Sequence, residues 1–200
     1  LMRQPQEWFL SMVQLPFRGL ASHGAAIAIL LALYLYSRKK ETPPFLWLTD
    51  RVVIGVALGG ALIRIGNLFN SEIYGKPTEM PWGFVFVRET DFRLLPLVPR
   101  HPTQLYEAFF CLCLLILTFY LWKQKKRAFA MGTFTGIFMV LLFGFRFLVE
   151  FLKTPQVGFE TDKTLNMGQW LSIPAILAGI IILWTANLTY PQTKPSIINN

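Results

Sequence analysis

The sequence predicts an all-α polytopic membrane protein, one membrane domain over residues 1–200 crossed by about five transmembrane helices, with a cytoplasmic C-terminus. Three observations predict it. Long apolar runs recur along the chain, only 15% of residues are charged against 54% hydrophobic, and Lys and Arg gather between the runs. Soluble domains carry about 25% charged residues. The net charge of +8 therefore reads as basic loops beside a membrane and excludes a nucleic-acid-binding surface.

A spanning helix needs about 20 mostly apolar residues. Five stretches qualify: 19–37, 52–69, 104–122, 131–151 and 167–188. Gly55 and Gly59 in the second, and Gly132 and Gly136 in the fourth, have the four-residue spacing that lets a neighbouring helix approach closely. Pro43-Pro44-Phe45-Leu46-Trp47-Leu48 reads as a segment lying at the inner interface. Cys111 and Cys113 sit in an apolar run, point in different directions on a helix and read as free thiols. The sequence begins at Leu1 and has no signal-peptide pattern, so a missing N-terminus is expected.

Orientation follows from the loops. Arg38, Lys39, Lys40 and Arg51 separate the first two runs, and Lys123, Lys125, Lys126 and Arg127 separate the third and fourth. Alternating crossings put both clusters on one side, which the positive-inside rule makes cytoplasmic. Residues 1–18, 70–103 and 153–166 then face outward. The 70–103 loop is expected to be partly structured, because Pro81-Trp82-Gly83 leads into the aromatic, β-branched run Phe84-Val85-Phe86-Val87. That run suits either a small hairpin or an interfacial segment.

Charged groups inside a bilayer cost at least about 2.5–3.5 kcal/mol each and normally face a protein interior or a wet cavity. Arg64 and Asn67 share a helix face, and Asn70 and Glu72 continue it outward. Arg64 alone equally suits snorkelling to the interface. Arg146 and Glu150, four apart, suit either a structural ion pair or a phosphate clamp made with Arg64. His101-Pro102-Thr103-Gln104-Leu105-Tyr106-Glu107 opens the third helix, with Gln104 and Glu107 on one face. His23 near the start of the first run is either structural or catalytic. With the two histidines far apart and no ligand spacing around them, neither a metal nor another cofactor is expected. The inferred orientation puts all these groups in the outer half of the membrane, where chemistry on a phospholipid headgroup is at home. A transporter site more often lies at the midplane.

These motifs occur together and in order. Arg64-Ile65-Gly66-Asn67-Leu68-Phe69-Asn70-Ser71-Glu72-Ile73-Tyr74-Gly75 with Lys76-Pro77-Thr78, the His101-to-Glu107 motif, Arg146-Phe147-Leu148-Val149-Glu150-Phe151, Gly168-Gln169-Trp170-Leu171-Ser172 and Ser22-His23-Gly24 closely resemble the signatures of prolipoprotein diacylglyceryl transferases. The family's N-terminal helices have no counterpart here, so the chain resembles a truncated member.

The resemblance implies transfer of the diacylglyceryl group of phosphatidylglycerol to the lipobox cysteine of a preprolipoprotein signal peptide. The setting it implies is the bacterial cytoplasmic (inner) membrane, among membrane lipids, with the site toward the outer face. The expected catalytic residues are His23, Arg64, Arg146, His101 and Glu150. Arg64 and Arg146 would hold phosphate, Glu150 would orient Arg146, and His23, or else His101, would be the base. Substrate contacts are expected from Arg64, Asn67, Asn70, Glu72, Gly75, Gln104, Tyr106 and Glu107. Two alternatives stand beside this reading: a transporter of an anionic solute, and a catalytically inactive truncated membrane protein.

Overall fold

The computed structural model describes residues 22–87, 97–125, 129–154 and 165–189. Among these residues five helices follow in order: α1 (Ser22–Ser37), α2 (Phe45–Phe69), α3 (Thr103–Lys125), α4 (Thr133–Val149) and α5 (Met167–Thr189). A 3-10 turn, Glu150–Leu152, continues α4. Four segments, Phe45–Phe69, Thr103–Lys123, Thr133–Leu152 and Met167–Leu188, are long and apolar enough to cross a membrane, and Gly24–Ser37 is a shorter apolar helix. The first expected crossing is thus shorter within the described residues, because 19–21 lie outside them. The chain divides into two compact units, Leu1–Leu48 and Thr49–Asn200.

In the first unit α1 is apolar along its length, and its last turn closes when the Ser37 hydroxyl donates to the Tyr34 carbonyl at 2.7 Å. The Pro43-Pro44 step leads directly into a helix. Pro44 starts α2, its carbonyl accepting the Trp47 and Leu48 N–H groups, as suits a residue that needs no donor of its own. The second helix therefore begins seven residues before the expected position 52.

The second unit is inside-out by aqueous standards. Leu62, Ile63, Phe109, Ile116, Ile181 and Trp184 are exposed, an apolar surface suited to lipid rather than water. Its core joins Val53 and Ala57 of α2, Leu114 of α3 and Phe134 and Phe138 of α4. Phe110 and Phe145 stack with centroids 4.0 Å apart.

Helices α4 and α5 pack closely at two glycines. A β-carbon on Gly136 would meet Leu183 and the Gly179 carbonyl, and one on Gly179 would lie 2.9 Å from the Met139 β-carbon. The close approach expected at Gly55 and Gly59 is not made by any described residue, since none lies within 4 Å of a β-carbon added at either. The small residues that matter lie on two different helices, which spacing along one helix does not reveal. Gly132 takes a different part from the one expected: with φ 91° it turns the chain into α4.

At that turn α4 has no capping side chain of its own. The cap comes from α2: Gly132 and Thr135 donate their backbone N–H groups to the buried Asp50 carboxylate at 2.7 and 2.8 Å. The Thr135 hydroxyl donates to the same carboxylate at 2.7 Å and lies 2.9 Å from the Thr49 hydroxyl. Free N–H groups and the positive helix end explain why a carboxylate is stable there.

Beyond α2 the outer segment forms isolated antiparallel bridges, Gly75 with Lys153 and Arg100 with both Pro77 and Phe84. Phe84 and Arg100 exchange both backbone hydrogen bonds at 2.9 Å. The aromatic run thus pairs with the approach to α3 rather than with itself. Arg88, Glu89, Asp91 and Arg93 lie outside the described residues.

Candidate active site

The site lies within the second unit, where α2 ends, α3 begins, α4 ends and α5 begins. The Asp50 cap marks the opposite end of α2 and α4. Arg64 and Asn67 project from one face of the last turns of α2, with Arg64 Nη1 3.5 Å from Asn67 Oδ1. The chain then turns back. The Glu72 N–H donates to the Asn67 carbonyl at 3.1 Å, while Ser71 and Ile73 adopt left-handed φ values of 57° and 60°. For a β-branched residue such as Ile73 that conformation is costly and persists only when its surroundings enforce it. The turn returns the Glu72 carboxylate to the helix end, where Asn67 and Asn70 donate to Oε1 at 2.7 and 3.2 Å.

The start of α3 supplies the enforcement. The Gln104 amide donates to the Glu72 carbonyl at 2.7 Å and the Thr103 hydroxyl to the Ile73 carbonyl at 2.9 Å, both side chains fully buried. Gly75 passes between His101 and Leu152 so tightly that a β-carbon would lie 2.6 Å from the His101 β-carbon and 2.9 Å from the Leu152 carbonyl. Only glycine fits there.

A chain of alternating charges joins three helix ends. Glu107 Oε2 lies 3.1 Å from Arg64 Nε, and Glu107 Oε1 lies 3.1 Å from Lys153 Nζ. Lys153 also reaches Glu150 Oε2 at 3.2 Å. Glu107 Oε2 receives no well-directed hydrogen bond, so its contact with Arg64 is coulombic. Gln104 Oε1 is likewise buried without a donor among the described residues.

Beside this polar chain lies an open apolar cavity of about 420 Å³ lined by Trp82, Tyr106, Phe145, Leu148, Val149 and Leu152. Tyr106, Val149 and Leu152 each immediately precede a member of the charge chain, so the same helix ends serve both surfaces. At the cavity edge Trp82 Nε1 donates to the Tyr106 hydroxyl at 2.9 Å, and His101 Nδ1 lies 3.2 Å from that oxygen. The tyrosine oxygen accepts from Trp82, and its contact with Nδ1 runs as Tyr106 O–H to Nδ1 when His101 carries its proton on Nε2, or as Nδ1–H to the oxygen when it does not.

Residues 3–185 match the family model described as prolipoprotein diacylglyceryl transferase. The chain belongs to that family. It is similar to the phosphatidylglycerol--prolipoprotein diacylglyceryl transferases of Tolumonas auensis, 45% identical over 167 residues, and Chloroherpeton thalassium, 43% identical over 169. Those alignments cover 82% and 83% of this chain and 61% and 60% of the relatives. The similar protein of Protochlamydia amoebophila is 46% identical over 170 residues, 83% of this chain and 45% of its own. The chain thus spans about 60% of the length of the first two relatives.

In this prolipoprotein diacylglyceryl transferase family member the expected residues Arg64, Asn67, Asn70, Glu72, Gly75, His101, Gln104, Tyr106, Glu107 and Glu150 come together around the α2 and α3 ends. The expected pairing of Arg146 with Glu150 does not form. Glu150 binds Lys153, brought within reach by the 3-10 turn, and half-buried Arg146 has no hydrogen-bond or ion-pair partner among the described residues. Arg64 and Arg146 accordingly share no partner; the cation joined to Arg64 through a carboxylate is Lys153. His23 lies in the first turn of α1, in the other unit, and its side chain is outside those described.

Sequence reasoning missed Lys153, which it assigned to the outer loop. It gave no role to Gln169, which closes the start of α5 by accepting the Asn166 N–H at 3.0 Å. The signal for Lys153 was present: a cation three residues beyond Glu150, at the end of an apolar run, has a carboxylate within reach.

Proposed function

We propose that the whole protein transfers the diacylglyceryl group of phosphatidylglycerol to the lipobox cysteine of preprolipoproteins. Family membership supports the reaction class. The observation that carries the reading for this chain is the adjacency of a charge chain containing Arg64 and an apolar cavity at one end of the helices. That combination matches an amphiphile with a phosphate, hydroxyl groups and acyl chains.

In the reaction the cysteine sulfur forms a bond to the glycerol carbon that bears the phosphate ester. The carbon–oxygen bond breaks and its electron pair leaves with glycerol phosphate. The thiol proton goes to a base, since the thiolate is the nucleophile and a free thiol has a pKa of about 8.5. Negative charge grows on the departing phosphate, so cations fixed beforehand lower the barrier. We assign that task to Arg64, whose terminal nitrogens make only the long contact with Asn67 among the described residues, and to Arg146, which has no partner among them. Asn67 and Asn70 suit the headgroup hydroxyls, with Glu72 and Glu107 holding the donors in place and buried Gln104 fixing the Glu72 backbone behind them. His23 is the assigned base; His101, its Nδ1 facing Tyr106, suits donation from Nε2.

Two basic residues outside the site, Arg51 near the start of α2 and Lys123 near the end of α3, support placing the opposite end in the cytoplasm and the site on the outer face of the bacterial inner membrane. Mass spectrometry of a lipobox peptide incubated with phosphatidylglycerol and membranes holding the complete gene product tests the reading. A diacylglyceryl mass gain on the cysteine is the expected result. No gain, together with anion flux in liposomes, would replace the transferase with a transporter.

A further inference from the structure

We propose that Lys153 is a positioning residue for the transfer, acting through Glu107 to keep the Arg64 guanidinium free for phosphate. The proposal rests on the transferase reading above. Lys153 is 2% exposed, and its ammonium is 3.1 Å from Glu107 and 3.2 Å from Glu150, carboxylates from two different helices. A buried ammonium is tolerated only when paired, and here one cation balances two anions. Among the described residues neither carboxylate has a further cation except Arg64, which touches Glu107.

The four groups Arg64, Glu107, Lys153 and Glu150 carry two positive and two negative charges. Lys153 takes Oε1 of Glu107, so only Oε2 faces Arg64, and it does so at Nε without a directed hydrogen bond. Of the two terminal nitrogens, Nη1 makes a long 3.5 Å contact with Asn67 Oδ1, which phosphate oxygens can displace to take the paired grip. Without Lys153 the cluster carries one net negative charge before any lipid arrives, and both carboxylates turn to Arg64 as the remaining cation among them. The lipid phosphate then competes with two carboxylates for one guanidinium. Gly168 reinforces the arrangement, because a β-carbon there would collide with the Glu150 carboxyl.

The test measures initial rates of lipobox-peptide modification by the complete gene product, varying phosphatidylglycerol and peptide separately. Lys153→Met is expected to raise the lipid KM by about tenfold or more while the peptide KM stays within about twofold, as loss of one partner from a buried charge network implies. Lys153→Arg restores the charge and is expected to keep the lipid KM within about threefold. The pair Glu150→Gln with Lys153→Met restores neutrality and is expected to recover most of the lipid KM lost in the single variant.

A lipid KM unchanged in Lys153→Met, an equal rise in both KM values, or a double variant no better than the single one would each overturn the proposal. If Lys153→Met fails to accumulate in membranes, the Arg and double variants carry the test, and a lipid KM raised by about tenfold or more in both overturns it. A parent protein that modifies no peptide would instead overturn the transferase reading itself.

Discussion

A β-carbon on Gly168 would lie 2.7 Å from the carboxyl carbon and Oε2 of Glu150, so the start of α5 passes directly over the carboxylate that holds Lys153. Gly168→Ala is therefore expected to push Glu150 off Lys153. Peptide modification should fall by about tenfold, in line with loss of a buried charged hydrogen bond. Thermal unfolding in detergent, measured beside activity, should show the helices still assembled.

Asp50 at the opposite end works on stability alone. Asn in its place offers one acceptor and an NH₂ group that faces a backbone N–H, so one of the α4 start donors loses its partner. Asp50→Asn should lower unfolding stability by about 2 kcal/mol. Turnover per folded molecule should be unchanged, as checked by activity normalised to protein that remains monodisperse.

The α4–α5 crossing separates two glycines that look alike in sequence. Gly179→Ala forces a β-carbon to within 2.9 Å of Met139 and 3.1 Å of the Val140 backbone nitrogen, so the helices must part, at a cost of about 1–3 kcal/mol. Gly55→Ala meets nothing within 4 Å and should be neutral or stabilising by up to about 1 kcal/mol. Denaturation midpoints of the two variants check the contrast.

Tyr106 ties Trp82 to His101 through one hydroxyl. Tyr106→Phe should leave the helices intact, at a cost of about 1 kcal/mol per lost hydrogen bond, and release the His101 tautomer. Nitrogen NMR of labelled histidine, recorded where the ring is neutral, should report one dominant tautomer in the parent and a mixture in the variant.

Hydropathy exposes helices and the polar residues that violate them, and for that reason α2 to α5 and the residues Arg64, Asn67, Glu107 and Glu150 were readable from the chain. Partner choice was not. Arg146 and Glu150 have the spacing of a pair, yet the 3-10 turn gives Glu150 to Lys153, a residue that linear reading leaves in a loop. Asp50, next to Arg51, looks like an ordinary solvated charge until α4 presents its free N–H groups. The left-handed turn at Ser71 and Ile73 had no glycine to announce it, because tertiary bonds from Thr103 and Gln104 enforce it.

The assignment of Arg64 to the phosphate of a lipid whose diacylglyceryl group moves to a thiol underlies these expectations. Its most direct test is the ratio of glycerol phosphate released to thioether formed, measured in one reaction for the parent protein and for Arg64→Gln. Equal amounts of the two products are expected from the parent, and loss of both by at least about a hundredfold in the variant, which still inserts in the membrane. Thioether formation at near-parent rate by Arg64→Gln, or peptide modification without glycerol phosphate, would contradict it.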